Sequence, residues 1–199
     1  MLTLDQIRQS LADRDHEPVP FEASPMHAAV AMILAEGRDD LDVCFIRRAE
    51  RAGDPWSGQV AFPGGRAEAR DPNANAVAER ETYEEIGLKL DPVHLIAPLP
   101  VRPIERQHLN HLSPFVYYVD EHTRNSARVA ERHEVASVFW VPLHHLFEPS
   151  AATDLEYPLA GTAQRFPGIR YEDHVIWGLT LRILESFADI MQRELAARN

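Results

Sequence analysis

Cysteine is almost absent from this chain, because Cys44 is the single one among 199 residues. One cysteine cannot form a disulfide within the chain, so the fold depends on noncovalent packing. A chain of this length buries roughly 70% of the surface that its unfolded form exposes, which is enough to fold without a disulfide or a structural metal. Because Cys44 lies in the apolar run Val-Cys-Phe-Ile, we expect a buried and inert thiol.

Long apolar runs and targeting segments are also lacking. The longest clearly apolar run, Ala28 to Ala35, is far shorter than the ~20 residues of a membrane span. The start of the chain, Met-Leu-Thr-Leu-Asp-Gln, has neither the basic nor the apolar region of a signal peptide. These absences predict a cytoplasmic chain without a membrane partner.

Basic residues are outnumbered by acidic ones. The chain has 20 Lys and Arg against 31 Asp and Glu, which gives a formal net charge of -11. This balance argues against a general nucleic-acid binder, since such proteins attach through a basic surface. A phosphate ligand remains open, because a few local cations or a bound metal suffice to hold one.

The order of expected elements indicates one domain over residues 1–199, since no repeat, low-complexity stretch or long linker interrupts the chain. Its core is expected at about residues 27–147, with an N-terminal helix at 3–14 and a C-terminal helix at 174–197 packed on it. Residues 149–173 are expected to form a loop or a weak hairpin. Mixed strands with interspersed helices predict an α/β or α+β sandwich. Strands are expected at 27–35, 41–48, 58–62, 93–101, 112–119 and 135–141.

A loop, a helix and a second loop form the stretch that is most informative about chemistry. The Pro-Gly-Gly sequence at 63–65 closes a short strand and allows close approach of the backbone. A helix is expected over 72–86, with Asp71 as its N-cap and Gly87 just past its end. These defined starts and ends on both sides of the helix favour a functional element over a solvated acidic helix.

Three carboxylates fall on one side of that helix. At about 100° per residue, Glu81, Glu84 and Glu85 span an arc of about 100°. Carboxylates at such spacings repel by ~0.2–0.5 kcal/mol per pair when they are solvated. A hard divalent cation such as Mg²⁺ relieves the repulsion and commonly joins carboxylates to substrate phosphates. Arg80, one turn before Glu84, is placed to orient it through a charge-assisted hydrogen bond.

Gly65 and the run Arg80-Glu81-x-x-Glu84-Glu85-x-Gly87-Leu88 resemble the signature of the Nudix hydrolases, G-x5-E-x7-R-E-U-x-E-E-x-G-U, where U is a bulky aliphatic residue. The interval from Gly65 to Arg80 is one residue longer than in that pattern. The first Glu has no exact counterpart, and either Glu68 or Asp71 stands in for it.

The longer interval is similar to the coenzyme A pyrophosphatase branch of the family, as is the G-x3-F-P-G-G sequence at 58–65. The branch's upstream element, R-[SA]-x3-R-x3-G, is matched only at its start by Arg48-Ala49. Arg51 is displaced from the second Arg, and Asp-Pro-Trp-Ser at 54–57 fills the remaining interval.

The resemblance implies a Nudix-type α/β/α sandwich with a mixed sheet and a catalytic loop-helix-loop. It also implies that water attacks a phosphorus of a pyrophosphate with the help of Mg²⁺ or Mn²⁺. The implied metal ligands are Glu81, Glu84 and Glu85, and the implied catalytic residues are Glu84, Glu85, Arg80 and Glu134. Glu131 is the second candidate for the acid from a later loop. The expected substrate-binding residues are Gly64, Gly65, Arg48, Arg51 and Trp56.

The leading substrate by this resemblance is coenzyme A or its thioesters. The alternative substrates are ADP-ribose, NADH or another nucleoside diphosphate linked to a second group. A catalytically inactive module that senses a nucleotide is a further alternative, although the intact Arg80 and glutamates argue against it. The expected partner is a small nucleotide and not a nucleic acid, and the terminal helices offer surfaces for a homodimer.

Overall fold

The computed structural model describes residues 1–14, 21–38, 40–53, 56–106, 109–159 and 162–198. The α-helices in this part of the chain are α1 (Leu4–Ala12), α2 (Ala74–Ile86), α3 (Glu121–Arg124) and α4 (Gly178–Ile190). The strands of the main sheet are β1 (His27–Glu36), β2 (Leu41–Arg48), β3 (Val60–Ala61), β4 (Gly64–Arg66), β5 (Leu95–Pro98), β6 (Arg102–Arg106), β7 (Leu109–Val119) and β8 (Val135–Pro142). A smaller sheet contains β9 (Ala152–Leu159), β10 (Thr162–Tyr171) and β11 (His174–Trp177).

Strand β1 is the centre of the main sheet. It pairs in parallel with β7 from His27 to Ala35, and antiparallel with both β2 and β4. The strand order is β3-β2-β1-β7-β5, with β4 attached to β1, β6 to β7 and β8 to β2. The sheet is therefore mixed, and the consecutive strands β1 and β2 form an antiparallel hairpin.

The two faces of β1 belong to two different apolar cores. Ala29, Ala31 and Ile33 lie in the core that also contains Val77 and Ile86 of α2. The alternate residues, among them Met32 and Leu34, lie in the core that α1 and α4 cover. Because neighbouring side chains of a strand point to opposite faces, one apolar strand serves both layers. The predicted α/β/α sandwich with a mixed sheet is confirmed.

The C-terminal third differs from the prediction. Of the two structures expected at 149–173, a loop or a weak hairpin, the chain forms the hairpin, β9–β10, which is long, and β11 adds a third strand that was not predicted. The helix expected from residue 174 begins at Gly178 and ends at Ile190. Strand β11 precedes it because Val175 and Ile176, both β-branched, pair with β10, and Gly178 at φ 60° then turns the chain into the helix.

The loop-helix-loop also departs from the prediction in two places. The strand expected at 58–62 is limited to Val60–Ala61, and the glycine segment continues as β4 instead of forming a loop. Helix α2 begins at Ala74, with Asn73 as its N-cap, whose side chain accepts a hydrogen bond from the Ala76 amide. The prediction of Asp71 as the N-cap is wrong because the Asp71 carboxylate binds Arg80. Gly87 ends the helix in the left-handed conformation, as expected.

Other predicted features are confirmed in part, with shorter elements than expected. Helix α1 has Thr3 as its N-cap, and Cys44 is fully buried. The strand expected at 93–101 is shorter, since a 3₁₀ turn occupies Pro92–His94 before β5. In the described residues, no helix is both long and apolar enough to cross a membrane.

The packing of α4 predicts that the stability of the fold depends strongly on Leu184, one of the buried leucines of this helix. Leu184 is fully buried, whereas Leu179 of the same helix is 39% exposed. Replacing Leu184 by Ala is expected to lower the free energy of unfolding by about 2–5 kcal/mol, because the change leaves a cavity in the core. Leu179→Ala is the matched control, with an expected change within about 0.5 kcal/mol. Urea denaturation followed by circular dichroism measures both, and equal losses would contradict this packing.

Candidate active site

Two glycines bring strand β4 against both β1 and helix α2. Gly64 has φ 147°, and a Cβ there would lie 2.3 Å from the Ala29 carbonyl oxygen, so no larger residue fits without moving the backbone. A Cβ on Gly65 would lie 2.4–2.6 Å from the carboxylate atoms of Glu81. The Glu81 carboxylate therefore lies directly against the bare backbone of Gly65.

The amide of Gly64 reaches the other buried glutamate of the helix. The Gly64 N–H donates a 2.9 Å hydrogen bond to Glu85 Oε2. Together the two glycines join β4 to two of the three predicted metal ligands. The glycine segment and the acidic side of α2 thus form one structural unit.

Arg80 holds the polar side of this unit together. Its Nε and Nη2 donate to the two carboxylate oxygens of Asp71 at 3.0 and 2.9 Å. Its Nη1 donates to Glu81 at 3.0 Å and to Glu84 at 2.9 Å, and Nη2 also reaches the Arg66 carbonyl at 3.0 Å. One guanidinium therefore links the helix, strand β4 and the loop between them.

Asp71, not Glu68, makes the close contact with Arg80. The Asp71 side chain is 4% exposed and binds the guanidinium through both oxygens, whereas Glu68 is 52% exposed and lies 3.8 Å from Nη1. Burial alone would raise the pKa of Asp71, but the hydrogen bonds from Arg80 hold it below its usual value. This contact was not foreseen from the sequence, because it depends on how the 67–73 loop folds back over the helix.

The three glutamates of α2 occupy different environments. Glu85 is 2% exposed, and burial raises its pKa to about 8 even though the Gly64 amide favours its ionised form. Burial also raises the pKa of Glu81, against the opposing effect of Arg80. Glu84 is half exposed and binds both Arg80 and, at 3.1 Å, Arg70. Arg70 was missed at the sequence level, and its position beside Asp71 in the loop is the only local signal.

The chemistry of these donors fits a hard divalent cation. Carboxylate oxygens are the ligands that Mg²⁺ and Mn²⁺ prefer. Burial next to other acids makes the ionised forms of Glu81 and Glu85 costly, and a cation would offset that cost. Among the residues that the structure describes, no three acidic, His or Cys side chains are already arranged around a metal position. Arg80 engages one oxygen of Glu81 and one of Glu84, so a cation would compete with it.

Glu134 and Arg51, both predicted site residues, lie together at the edge of this acidic group. The negative charge of Glu134 contributes to the raised pKa of Glu81 and of Glu85. Its Oε1 lies 3.4 Å from Nη2 of Arg51. Glu131, the second candidate, instead accepts a hydrogen bond from the His133 amide in the same turn.

Arg48 and Trp56 are the remaining predicted substrate-binding residues. Arg48 is half-buried at the end of β2, and its positive charge acts to lower the pKa of Glu85. Trp56 is 36% exposed in the loop after β2, and the Gln59 amide donates to its carbonyl. Asp54 and Pro55 of the same loop lie outside the described residues.

Comparison with known proteins places this geometry in a family. The model of the NUDIX domain matches residues 25–160. A protein of Yersinia enterocolitica named "Uncharacterized Nudix hydrolase NudL" is 30% identical over 186 residues, which cover 94% of this chain and 92% of the relative. A protein of the same name from Yersinia pestis is 32% identical over 168 residues, covering 84% of this chain and 81% of the relative.

A solved structure has the same fold. The MutT/nudix family protein from Enterococcus faecalis superposes with a TM-score of 0.56 over 96% of this chain and 76% of its own. Its sequence identity is 15%, so the likeness concerns the fold alone.

The contacts of Arg80 predict unequal effects of its two acidic neighbours on stability. Asp71→Asn is expected to lower the free energy of unfolding by about 1–3 kcal/mol, because a buried, doubly hydrogen-bonded charge is lost. Glu68→Gln is the matched control, with an expected change within about 0.5 kcal/mol, since the exposed pair contributes little. Urea denaturation of both variants measures the difference. A larger loss in Glu68→Gln than in Asp71→Asn would show that the wrong acid has been assigned to Arg80.

Proposed function

The chain belongs to the NUDIX domain family. We propose that it hydrolyses the diphosphate of coenzyme A or its thioesters. Nudix hydrolases act on small nucleotides, and the chain is a Nudix hydrolase by its family and its relatives. In the proposed reaction, water adds to one phosphorus and the bond from that phosphorus to the bridging oxygen breaks. The products are adenosine 3′,5′-bisphosphate and phosphopantetheine, or its acylated form.

The observation that carries the proposal is the group of carboxylates on α2 that Arg80 and the glycines of β4 hold together. Glu81, Glu84 and Glu85 are the residues that would hold Mg²⁺ or Mn²⁺, the kind of ion that Nudix hydrolases generally use. Such an ion, when bound, polarises phosphoryl oxygens and lowers the pKa of water. Hydrolysis of a diphosphate needs this positioning and charge neutralisation more than covalent catalysis.

The other site residues are proposed to orient the metal-binding glutamates and to take a proton from the attacking water. Arg80 orients Glu81 and Glu84 from one side. Arg70 binds the second oxygen of Glu84, so a cation held by Glu84 would replace one of these two arginine contacts. Gly64 and Gly65, the predicted substrate-binding glycines, place the backbone of β4 against two of these glutamates: the Gly64 amide donates to Glu85, and Glu81 lies against the bare backbone of Gly65. Glu134 at the edge of the acidic group is our candidate for the base that takes a proton from the attacking water.

The preference for coenzyme A rests on the resemblance of the 58–65 segment to that branch. Phe62 of this segment is buried and its ring stacks on Phe45 with centroids 4.9 Å apart. The Pro63 carbonyl accepts a 2.8 Å hydrogen bond from the Ala31 amide, so the segment is fixed to the central strand just before Gly64. Arg48 is a candidate for binding a substrate phosphate, and Trp56 is a candidate for stacking on a base.

A product assay by mass spectrometry tests the substrate. Purified protein with Mg²⁺, and separately with Mn²⁺, receives coenzyme A, acetyl-coenzyme A, ADP-ribose, NADH and a diadenosine polyphosphate in parallel. The proposal predicts that adenosine 3′,5′-bisphosphate from coenzyme A or its thioester dominates. A dominant yield of AMP from ADP-ribose or NADH would contradict it and would support the alternative substrates.

Two variants of α2 serve as controls in the same assay. Glu84→Gln is expected to lower turnover at least about 100-fold, because it removes a charged group that would hold the metal. Glu79→Gln is the control, because it changes the same residue type on the same helix. Glu79 contacts Asn75 and Tyr117 instead of the acidic group, so this variant is expected to keep its turnover. Full activity in Glu84→Gln would refute the assignment of the site. No turnover of any substrate by the unchanged protein would favour the nucleotide-sensing alternative.

A further inference from the structure

We propose that Arg51 is a positioning residue that holds the Glu134 carboxylate at the edge of the acidic group. The inference rests on the proposed function, because Glu134 is assigned there as the base. The sequence predicts Arg51 as a substrate-binding residue, but its contacts are with the turn that carries Glu134.

Arg51 is fixed by contacts that do not involve the Glu134 carboxylate. Its Nε donates a 2.6 Å hydrogen bond to the carbonyl of His133, the residue before Glu134. Its backbone amide donates to Ser57 Oγ at 2.7 Å, which ties it to its own loop. The guanidinium is therefore a fixed positive charge whose place is set by the backbone at His133.

The turn that carries Glu134 is also hydrogen-bonded to the end of α2. The amides of Ala130 and Glu131 donate to the Glu85 carbonyl at 3.0 and 3.3 Å. The Ala49 amide donates to the Glu134 carbonyl at 2.8 Å. The loop after β2, the 130–134 turn and the end of α2 thus form one connected unit beside the acidic group.

Electrostatics explains why Glu134 needs a cation at this place. Its charge raises the pKa of both Glu81 and Glu85, so the acids of α2 repel it. Arg51 supplies the opposite charge at 3.4 Å, farther than the 2.7–2.9 Å of a strong charge-assisted hydrogen bond. The pair is about half exposed, and such pairs contribute little to stability. Its effect is therefore expected in the position of the carboxylate and not in folding.

Kinetics of Arg51→Gln tests the proposal against a matched arginine. Arg51→Gln is expected to lower kcat by about tenfold or more with KM changed less than twofold, because a misplacement of ~1 Å can cost about 100-fold. Arg47→Gln is the control, since Arg47 has the same 43% exposure and binds Glu50 at 3.1 Å, away from Glu134. We expect its kcat and KM to stay unchanged. A raised KM with unchanged kcat in Arg51→Gln would overturn the proposal and indicate substrate binding.

A double-mutant cycle separates positioning from an independent effect. Glu134→Gln is expected to lower kcat by about 100-fold or more. Adding Arg51→Gln to it should cause no further loss, because the carboxylate that Arg51 positions is gone. Arg51→Lys should recover part of the kcat, since it keeps the charge but loses the planar fork. Losses that multiply in the double variant, or an unchanged kcat in Glu134→Gln, would overturn the proposal.

A measurement on the resting protein needs no turnover. The side-chain carboxyl carbon of Glu134 can be observed by ¹³C NMR and assigned by its absence in Glu134→Gln. The proposal predicts a shift of this signal in Arg51→Gln and not in Arg47→Gln, and an unshifted signal would overturn it. Failure of the proposed function is distinguishable, because it would show in the products of the unchanged protein or as full activity of Glu84→Gln, and not in the Glu134 signal.

Discussion

The site depends on one interaction, the set of hydrogen bonds that Arg80 donates. Its guanidinium binds the buried Asp71 through both carboxylate oxygens and reaches Glu81 and Glu84 on its own helix. Without a cation among them, these glutamates would repel each other at helical spacing. Arg80 offsets that repulsion in the protein alone, and it also connects the helix to strand β4 through the Arg66 carbonyl. The acidic group is thus positioned before any ligand arrives.

The sheet contributes the other half of this arrangement. Strand β1 pairs with β4 at Ala28–Val30, and that pairing brings the two glycines beneath the end of α2. The Gly64 amide then donates a hydrogen bond to the carboxylate of the buried Glu85. The absence of a side chain on Gly65 leaves space for the Glu81 carboxylate. The positions of β1, β4 and α2 therefore depend on one another. The same residues contribute to the packing of the fold and to the candidate active site.

Much of the site could be predicted from the sequence because its spacing is local. The helical period places Glu81, Glu84 and Glu85 on one side of α2, and Gly87 ends the helix. The role of Asp71 could not be predicted, because Asp is equally suited to be a helix N-cap or a salt-bridge partner of Arg. The pairing of β4 and the third strand β11 were missed, and the β9–β10 hairpin was only one of two alternatives, because short or half-exposed strands have weak periodicity. The single domain, the cytoplasmic location and the homodimer stay predictions.

Binding of Mn²⁺ to the protein without substrate tests the central claim most directly, because it examines the acidic group apart from any choice of substrate. Electron paramagnetic resonance measures free and bound Mn²⁺ for the unchanged protein, Glu85→Gln and the control Glu79→Gln. The account predicts that the unchanged protein and Glu79→Gln bind alike, and that Glu85→Gln weakens binding by about tenfold or more, since one charged oxygen donor is lost. Equal binding by all three proteins would contradict the claim that the carboxylates of α2 are the metal site.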